Sequence, residues 1–444
     1  MNKIAGVSAI ATTAISKILG LASTRHLSIK CRFGSSSNPL FRLKLNRIVE
    51  MRIVQDFVNH FTDQIEIEIE ATPKEYKDLV DNYKGLSCQV QMYTRNKTGI
   101  PKLTPDHTIK ALAIFKEKQD LDKRFSLTDL IPKDEKHPEY GYQTDRLVNV
   151  RFQLIDPEVY TLRKKQISFM TRDNTMDDIL QLVASELGVK KCYIVKSDNK
   201  TKFKNFIVPP AFSLENIFDL LQDGDGKGVY EEGLNYYYRD GWLYVYPAYK
   251  TDVSTPWKSV HIFVVPNNKL VGLDSFAAKF LKDTHLICNH PGPNRELAQE
   301  ALENGGTAVY ILDAPKMISK SVIQTEAGWT MPGTSTSLAK MNTKRGLLGD
   351  TFTPKYDISY GNKYTHLSRL AYANGTIVEL GWEHAIPFTF EPGHHVAYHN
   401  DGLIVFNQKS GICEFVQYVI QRTAREDTQL YGCTANIRLR VATD

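Results

Sequence analysis

The 444 residues are enough for roughly two to four domains with cores of their own, and the formal charge of +5 is unevenly placed. Residues 1–60 hold nine Lys or Arg against Glu50 and Asp56 and so carry +7, which leaves −2 on the remainder and excludes a domain with basic residues spread over a folded face to bind nucleic acid. The six cysteines (Cys31, Cys88, Cys192, Cys288, Cys413, Cys433) have no CxxC or zinc-ribbon spacing and no apolar run reaches transmembrane length, which excludes a stapled mini-domain and a helical span and points to reduced thiols.

The basic, apolar front end imitates a signal or transit peptide, but Lys17 interrupts the apolar run. The reading adopted is an ordered arm. Ile4, Val7, Ala11, Ala14, Ile18 and Ala22 form a helical stripe that needs a partner surface, with Lys17 off it. Gly34-Ser35-Ser36-Ser37 reads as the linker after the arm, so barrels are expected to start after Asn38 and deletion of residues 1–35 to leave a soluble protein.

From Leu40 the pattern is β. Ile65, Ile67 and Ile69 alternate with Glu66, Glu68 and Glu70, the mark of a strand with one buried face. Thr72-Pro73-Lys74-Glu75 reads as N-cap, first-turn proline and capping-box glutamate of a helix to about residue 82. Strands follow at 86–93, 108–115 and 147–155, which suggests a β-barrel carrying one helix. Next comes a helix over 176–187, with Met176, Ile179, Leu180, Val183 and Leu187 inward and Gly188 as its stop. A second helix begins at the cap Ser213, with Leu214, Ile217, Phe218 and Leu221 on one face. After it, Asp240-Gly241 sets a type I′ hairpin with Arg239 opposite Trp242. The pairs Tyr237/Tyr244 and Asn235/Tyr246 share that face, and Tyr238/Leu243 and Tyr236/Val245 the other. Both faces are aromatic or apolar, so Tyr236, Tyr238, Trp242, Tyr244 and Tyr246 read as structural residues of a ribbon pressed between two layers.

A strand at 259–265 opens a second barrel, and a helix is expected at 295–303, capped by Asn294. Residues 326–362, rich in Gly, Ser and Thr, read as an extended loop lying on a neighbour. Four strands close the chain at 393–398, 402–407, 413–421 and 434–441, with a hairpin at Asn400-Asp401-Gly402.

Residues 206–247, with their "IVPP" exit, "FSLENIFDLL" helix and "LNYYYRDGWLYVYP" hairpin, together with the strand at 147–156 and the helix near 180, resemble the middle domain of the bacteriophage tail and baseplate hub family, to which type VI secretion spike proteins are related. The resemblance implies an α+β, mainly β fold in which two tail-tube-like barrels flank or interleave with a smaller α+β domain. The expected division is an arm and linker over 1–38, a first barrel over 39–156, the middle domain over 157–250, and a second barrel over 251–444 with an insertion at about 293–380. It further implies a non-enzymatic virion protein, assembled in the host cytoplasm: a homotrimeric ring of pseudo-six-fold appearance joining the tail tube protein to a trimeric spike or tail-tip protein. A tape measure protein is a further implied partner, and DNA passes the pore without specific binding. The arm residues Ile4, Val7, Lys17 and Ile18 would meet one of these partners. A tail-associated cell-wall hydrolase and a host-surface glycan-binding protein stay open as alternatives.

No catalytic, cofactor-binding or metal residue is assigned. Counted from Asp223 as a calcium loop, position 5 is Lys227 and position 12 is Leu234, so two required carboxylates are missing. His384, His394, His395 and His399 lie near Glu383, Glu391 and Asp401, but His394 and His399 would face opposite sides of a strand. His285 and His290 flank Cys288 with no matching second pair, and no GxSxG, HExxH, P-loop or Rossmann pattern is present.

Overall fold

Alternation of apolar and charged residues along the first third of the chain produces strands that bury one face. The computed structural model describes residues 26–94, 104–116, 147–224, 227–251, 260–264, 284–288, 290–296, 363–373, 375–402, 405–423 and 430–442, with strand segments inside 308–360. The first group of elements is β1 (Leu27–Ser35), β2 (Arg42–Leu45), β3 (Ile48–Asp56), β4 (Gln64–Ala71), α1 (Pro73–Asp81), β5 (Leu86–Thr94), β6 (His107–Phe115) and β7 (Val148–Ile155). Ile65, Ile67 and Ile69 are buried, as the alternation requires. Thr72 and Glu75 form a reciprocal capping box at the start of α1.

The middle group is α2 (Pro157–Lys164), β8 (Gln166–Thr171), β9 (Asn174–Thr175), α3 (Met176–Glu186), β10 (Lys191–Ile194), β11 (Lys202–Phe203), β12 (Phe206–Ser213), α4 (Leu214–Asp223), β13 (Leu234–Arg239) and β14 (Trp242–Pro247). The expected inward residues of α3 and α4 are buried, and Gly188 takes φ +74° to end α3.

The last group begins with β15 (Val260–Val264), β16 (Thr284–Cys288), β17 (His290–Glu296), β18 (Ala308–Asp313) and β19 (Ile318–Thr325). Five short strands follow: β20 (Gly328–Thr330), β21 (Thr334–Ser335), β22 (Lys344–Arg345), β23 (Thr351–Phe352) and β24 (Ser359–Tyr360). The chain closes with α5 (Lys363–Ala373), β25 (Thr376–Glu383), β26 (His395–Gly402), β27 (Val405–Arg422) and β28 (Tyr431–Val441).

The fold is α+β and mainly β, built on one fourteen-stranded sheet. Eight of its strands close on themselves in the order β27-β3-β4-β7-β6-β5-β1-β28, because β28 pairs back onto β27. The seam between β1 and β28 is one residue pair, Leu27 with Tyr431. A second series, β16-β15-β26 and β25-β17, grows from the other end of the same β27–β28 hairpin. β27 has 18 residues, roughly 60 Å of strand. Its first part pairs with β26 and its last part with β3, and the change of partner falls at a bulge between Cys413 and Phe415. Glu414, in the bulge, ion-pairs with the buried Arg440. Arg440 Nη1 also donates to Tyr372 O of α5 at 2.7 Å.

Several elements differ from the sequence expectation. Gly34 and Ser35 end a core strand, with Ser36 N donating to Gly85 O at 3.0 Å, and are no linker. Leu27, Ile29, Cys31 and Phe33 are buried, so the barrel starts before Asn38. Asn294, Arg295 and Glu296 pair with β25 in a strand, where sheet pairing overrides their local helical pattern; residues 297–303 lie outside the described residues. The strands expected at 402–407 and 413–421 are one strand from Val405, and Asn400, Asp401 and Gly402, expected as a hairpin turn, pair with Asn407, Phe406 and Val405. Between 326 and 362 the described segments are short paired strands. The apolar arm over residues 4–22 lies outside the described residues.

Candidate functional site

The β13–β14 hairpin carries the best-defined polar constellation. Asp240 at φ +50° and Gly241 at φ +79° make the type I′ turn, and every expected cross-strand pair is present. The two faces of the ribbon belong to different cores. Tyr237 and Tyr246 pack into the barrel core, while Tyr238, Leu243 and Val245 pack into the core around α3 and α4. Tyr246 Oη donates to Phe57 O at 2.8 Å, and Gly393 (φ +72°) lets the backbone approach its ring, where a Cβ would lie 2.8 Å from Tyr246 Cγ. Tyr236 stacks on Phe218 with centroids 4.1 Å apart, and Tyr238 donates to the carboxylate of Glu158. Tyr244 is half-buried beside Tyr193, and burial first, then Glu391, raises its phenol to about 12. Trp242 departs from the expectation of two covered faces: it is 39% exposed, with Lys191 Nζ 5.6 Å from its ring. Ile4, Val7, Lys17 and Ile18 lie outside the described residues.

The residues that hold the ribbon on the barrel were not singled out from the sequence. Arg239 Nε donates to Asp63 Oδ2 at 3.1 Å and Nη2 to Asp63 Oδ1 at 3.0 Å. Tyr237 Oη donates to Asp63 Oδ1 at 2.7 Å, and Gln55 Nε2 to the same oxygen at 3.1 Å. Arg239 Nη1 reaches Phe390 O at 2.7 Å, and its guanidinium lies 5.5–5.7 Å from the rings of Phe57, Tyr237 and Phe388. Burial opposes the charge on Arg239, but Asp63 and Tyr237 together outweigh it and its pKa lies above the ordinary value. Burial first, then the Asp63 charge, pushes the Tyr237 phenol well up. An arginine beside a hairpin turn reads locally as a solvated charge, so no sequence signal marked it; only its partner 176 residues away makes it a core residue.

A cavity of about 280 Å³ adjoins this pair, lined among others by Asp63, Asp106, Asp156, Asp240 and His107. Burial is the largest influence on Asp156 and Asp240 and raises both, a shift that a general acid would need. The carboxylates are otherwise engaged in structure. Asp156 caps α2 by accepting from Glu158 N at 2.8 Å, and Asp106 Oδ2 accepts from Thr94 N at 2.6 Å and Thr94 Oγ1 at 2.8 Å.

The histidines do not converge. His394 Nε2 lies 3.1 Å from Glu391 Oε2, His399 Nε2 lies 2.9 Å from His261 Nδ1, and His384 sits at φ +55° after β25. Among the described residues, no three His, Cys, Asp or Glu side chains are placed to hold one metal ion. Cys31 and Cys88 meet inside the first barrel with Sγ atoms 3.2 Å apart, and burial first raises the Cys31 thiol well above its ordinary pKa.

No family model matches the chain, and no curated protein matches it. Solved structures similar to it include the tail protein from Neisseria meningitidis MC58, at 11% identity over 93% of this chain and 96% of that one, with a TM-score of 0.48. Another is the 43 kDa tail protein of prophage MuSo2 from Shewanella oneidensis, at 10% identity, 94% and 99% coverage and a TM-score of 0.46. The E. coli c3393 protein, a component of the type VI secretion system, is similar at 8% identity, 89% and 74% coverage and a TM-score of 0.36. At these identities and scores, the chemistry of the site stands on its own residues.

Proposed function

We propose that the chain is a non-enzymatic structural protein of a phage tail or baseplate, a hub whose three copies form a pseudo-six-fold ring between the tail tube and a central spike. The observation that carries this reading is the shared β27–β28 hairpin. It joins two sets of strands into one continuous sheet, while the β13–β14 ribbon packs one face on the barrel core and the other on the α3/α4 core. A body of this kind keeps its shape under load, as a ring joining two symmetries must. In such a ring the two strand sets serve as the two tube-like barrels and the central pore passes DNA. The arm over residues 4–22 meets a neighbour such as the tube, spike, tip or tape measure protein. The division at residues 156 and 250 serves this reading with two changes: the first barrel starts at β1, before residue 38, and β27 and β28 belong to both barrels. Mass photometry and negative-stain imaging of the purified chain test it. A trimer appearing as a six-lobed ring is expected, and a stable monomer at micromolar concentration with no trimer in a tail particle would refute it.

A further inference from the structure

Cys31 and Cys88 lie on neighbouring strands of the first barrel. In the β1–β5 ladder Cys31 is opposite Val90 and Cys88 opposite Phe33, so the two are diagonal neighbours on one inward face. Their Sγ atoms are 3.2 Å apart, and both residues are buried in the barrel core. Two other buried thiols meet backbone instead: Cys413 Sγ lies 3.8 Å from Phe415 O, and Cys433 Sγ lies 3.8 Å from Thr434 O. A disulfide holds its sulfurs at about 2.05 Å, so the Cys31–Cys88 pair must close by roughly 1 Å. The end of the ladder is near, because β1 stops at Ser35 and β5 begins at Leu86. Strand ends open more readily than strand centres, which gives a small reagent access and the sulfurs room to approach. Burial first, then Cys88, holds the Cys31 thiol well above its ordinary pKa, so at neutral pH it is protonated and reacts slowly.

We propose that Cys31 and Cys88 are an oxidation site: outside a reducing cytosol, a small disulfide oxidant converts them to a disulfide that locks β1 into the barrel. With the oxidant written R–S–S–R, one cysteine loses its proton and its sulfur attacks, forming a protein–S–S–R bond and releasing RS⁻. The second cysteine, deprotonated in turn, attacks the protein sulfur of that bond and expels the other RS⁻. The protein loses two electrons and two protons, and the oxidant leaves as two molecules of RSH. The bond acts where the barrel is held least: β1 meets β28 through the single pair Leu27 with Tyr431, and β5 is its main neighbour. A cross-link between positions 57 residues apart also restricts the unfolded chain. Oxidation after release from a cell rests on the tail-particle reading, whereas the bond itself rests only on the two sulfurs.

The test is to incubate the folded full chain with hydroxyethyl disulfide, a small neutral probe, at mildly alkaline pH. Non-reducing peptide mapping should find the peptides of Cys31 and Cys88 joined with loss of two hydrogen atoms. The exposed Cys192 should carry the reagent, which shows that it was active. The oxidised chain should melt about 5 °C or more above the reduced one, and dithiothreitol should remove that increase. Cys31→Ala and Cys88→Ala should each abolish both the link and the increase. Modification of Cys192 without a Cys31–Cys88 link, a link that forms only in urea, or a link that leaves the melting temperature unchanged or lower overturns the proposal. The dithiothreitol reversal is read on the parent protein, so the test stands even where an alanine variant fails to fold. The purified chain needs no ring for this reaction, so its failure and the failure of the hub assembly are read separately.

Discussion

Asp63 and Arg239 grip each other at two points, 3.0 and 3.1 Å apart, across 176 residues of sequence and with both side chains almost wholly buried. The pair ties the connection between β3 and β4 to the β13–β14 hairpin. A buried ion pair adds little net stability by itself, but removing one partner strands the other charge.

Asp63→Ala should therefore destabilise the protein by about 3–5 kcal/mol in urea unfolding. The double variant D63L/R239M should recover most of that loss, because it removes both charges. Additive losses in the double-mutant cycle would show that the two residues act independently.

The hairpin aromatics should divide by burial. Tyr237 is fully buried, and Tyr237→Ala should cost about 3–5 kcal/mol. Trp242 is 39% exposed, and Trp242→Ala should cost no more than about 1 kcal/mol. Trp242→Ala should therefore leave solubility and assembly largely unchanged, and a loss equal to that of Tyr237→Ala would contradict this placement.

The first barrel sets the limit for truncation. Deleting residues 1–25 should leave a cooperatively melting protein, whereas deleting residues 1–35 should yield insoluble chain. The second deletion removes Leu27, Ile29 and Phe33, buried in the core, at about 1.5–3 kcal/mol each, together with all of β1's pairing to β5. That sum is comparable with the roughly 5–15 kcal/mol that stabilises a whole domain. Circular dichroism of the soluble fraction reads the difference.

Asp240→Asn should stabilise the protein at neutral pH. Burial, the largest influence, raises the Asp240 carboxyl above its unfolded value of about 3.9, so at pH 7 the charged form is a cost of folding. That cost is relieved as pH falls through the folded value, and the advantage of the variant should be gone below about pH 3.9. Asparagine tolerates the positive φ of this position, so the turn survives. Urea midpoints across pH 3–8 check the sign.

Arg440 joins the bulge of β27 to α5 through Glu414 and Tyr372 O. Arg440→Ala should leave the Glu414 carboxylate buried without its cation and free the end of α5. Limited proteolysis should then cut near residues 363–373 faster than in the parent protein, and an unchanged digestion pattern would count against this tie.

Local chemistry was decided by the sequence. The capping box of α1, the inward stripes of α3 and α4, the Asp240-Gly241 turn and the register of the hairpin each depend on residues only a few positions apart, so propensity and periodicity suffice. The hairpin's two apolar faces even foretold that it would lie between two layers. Only the tertiary structure decided which layers those are, that Arg239 is a core residue, and that β27 leaves β26 for β3 at Glu414. It also decided that residues 27–35 are a barrel strand and Asn294–Glu296 a sheet edge. In each case the partner lies dozens to hundreds of residues away, and the free energy gained by burying the pair or completing the ladder exceeds the weak local preference of the segment.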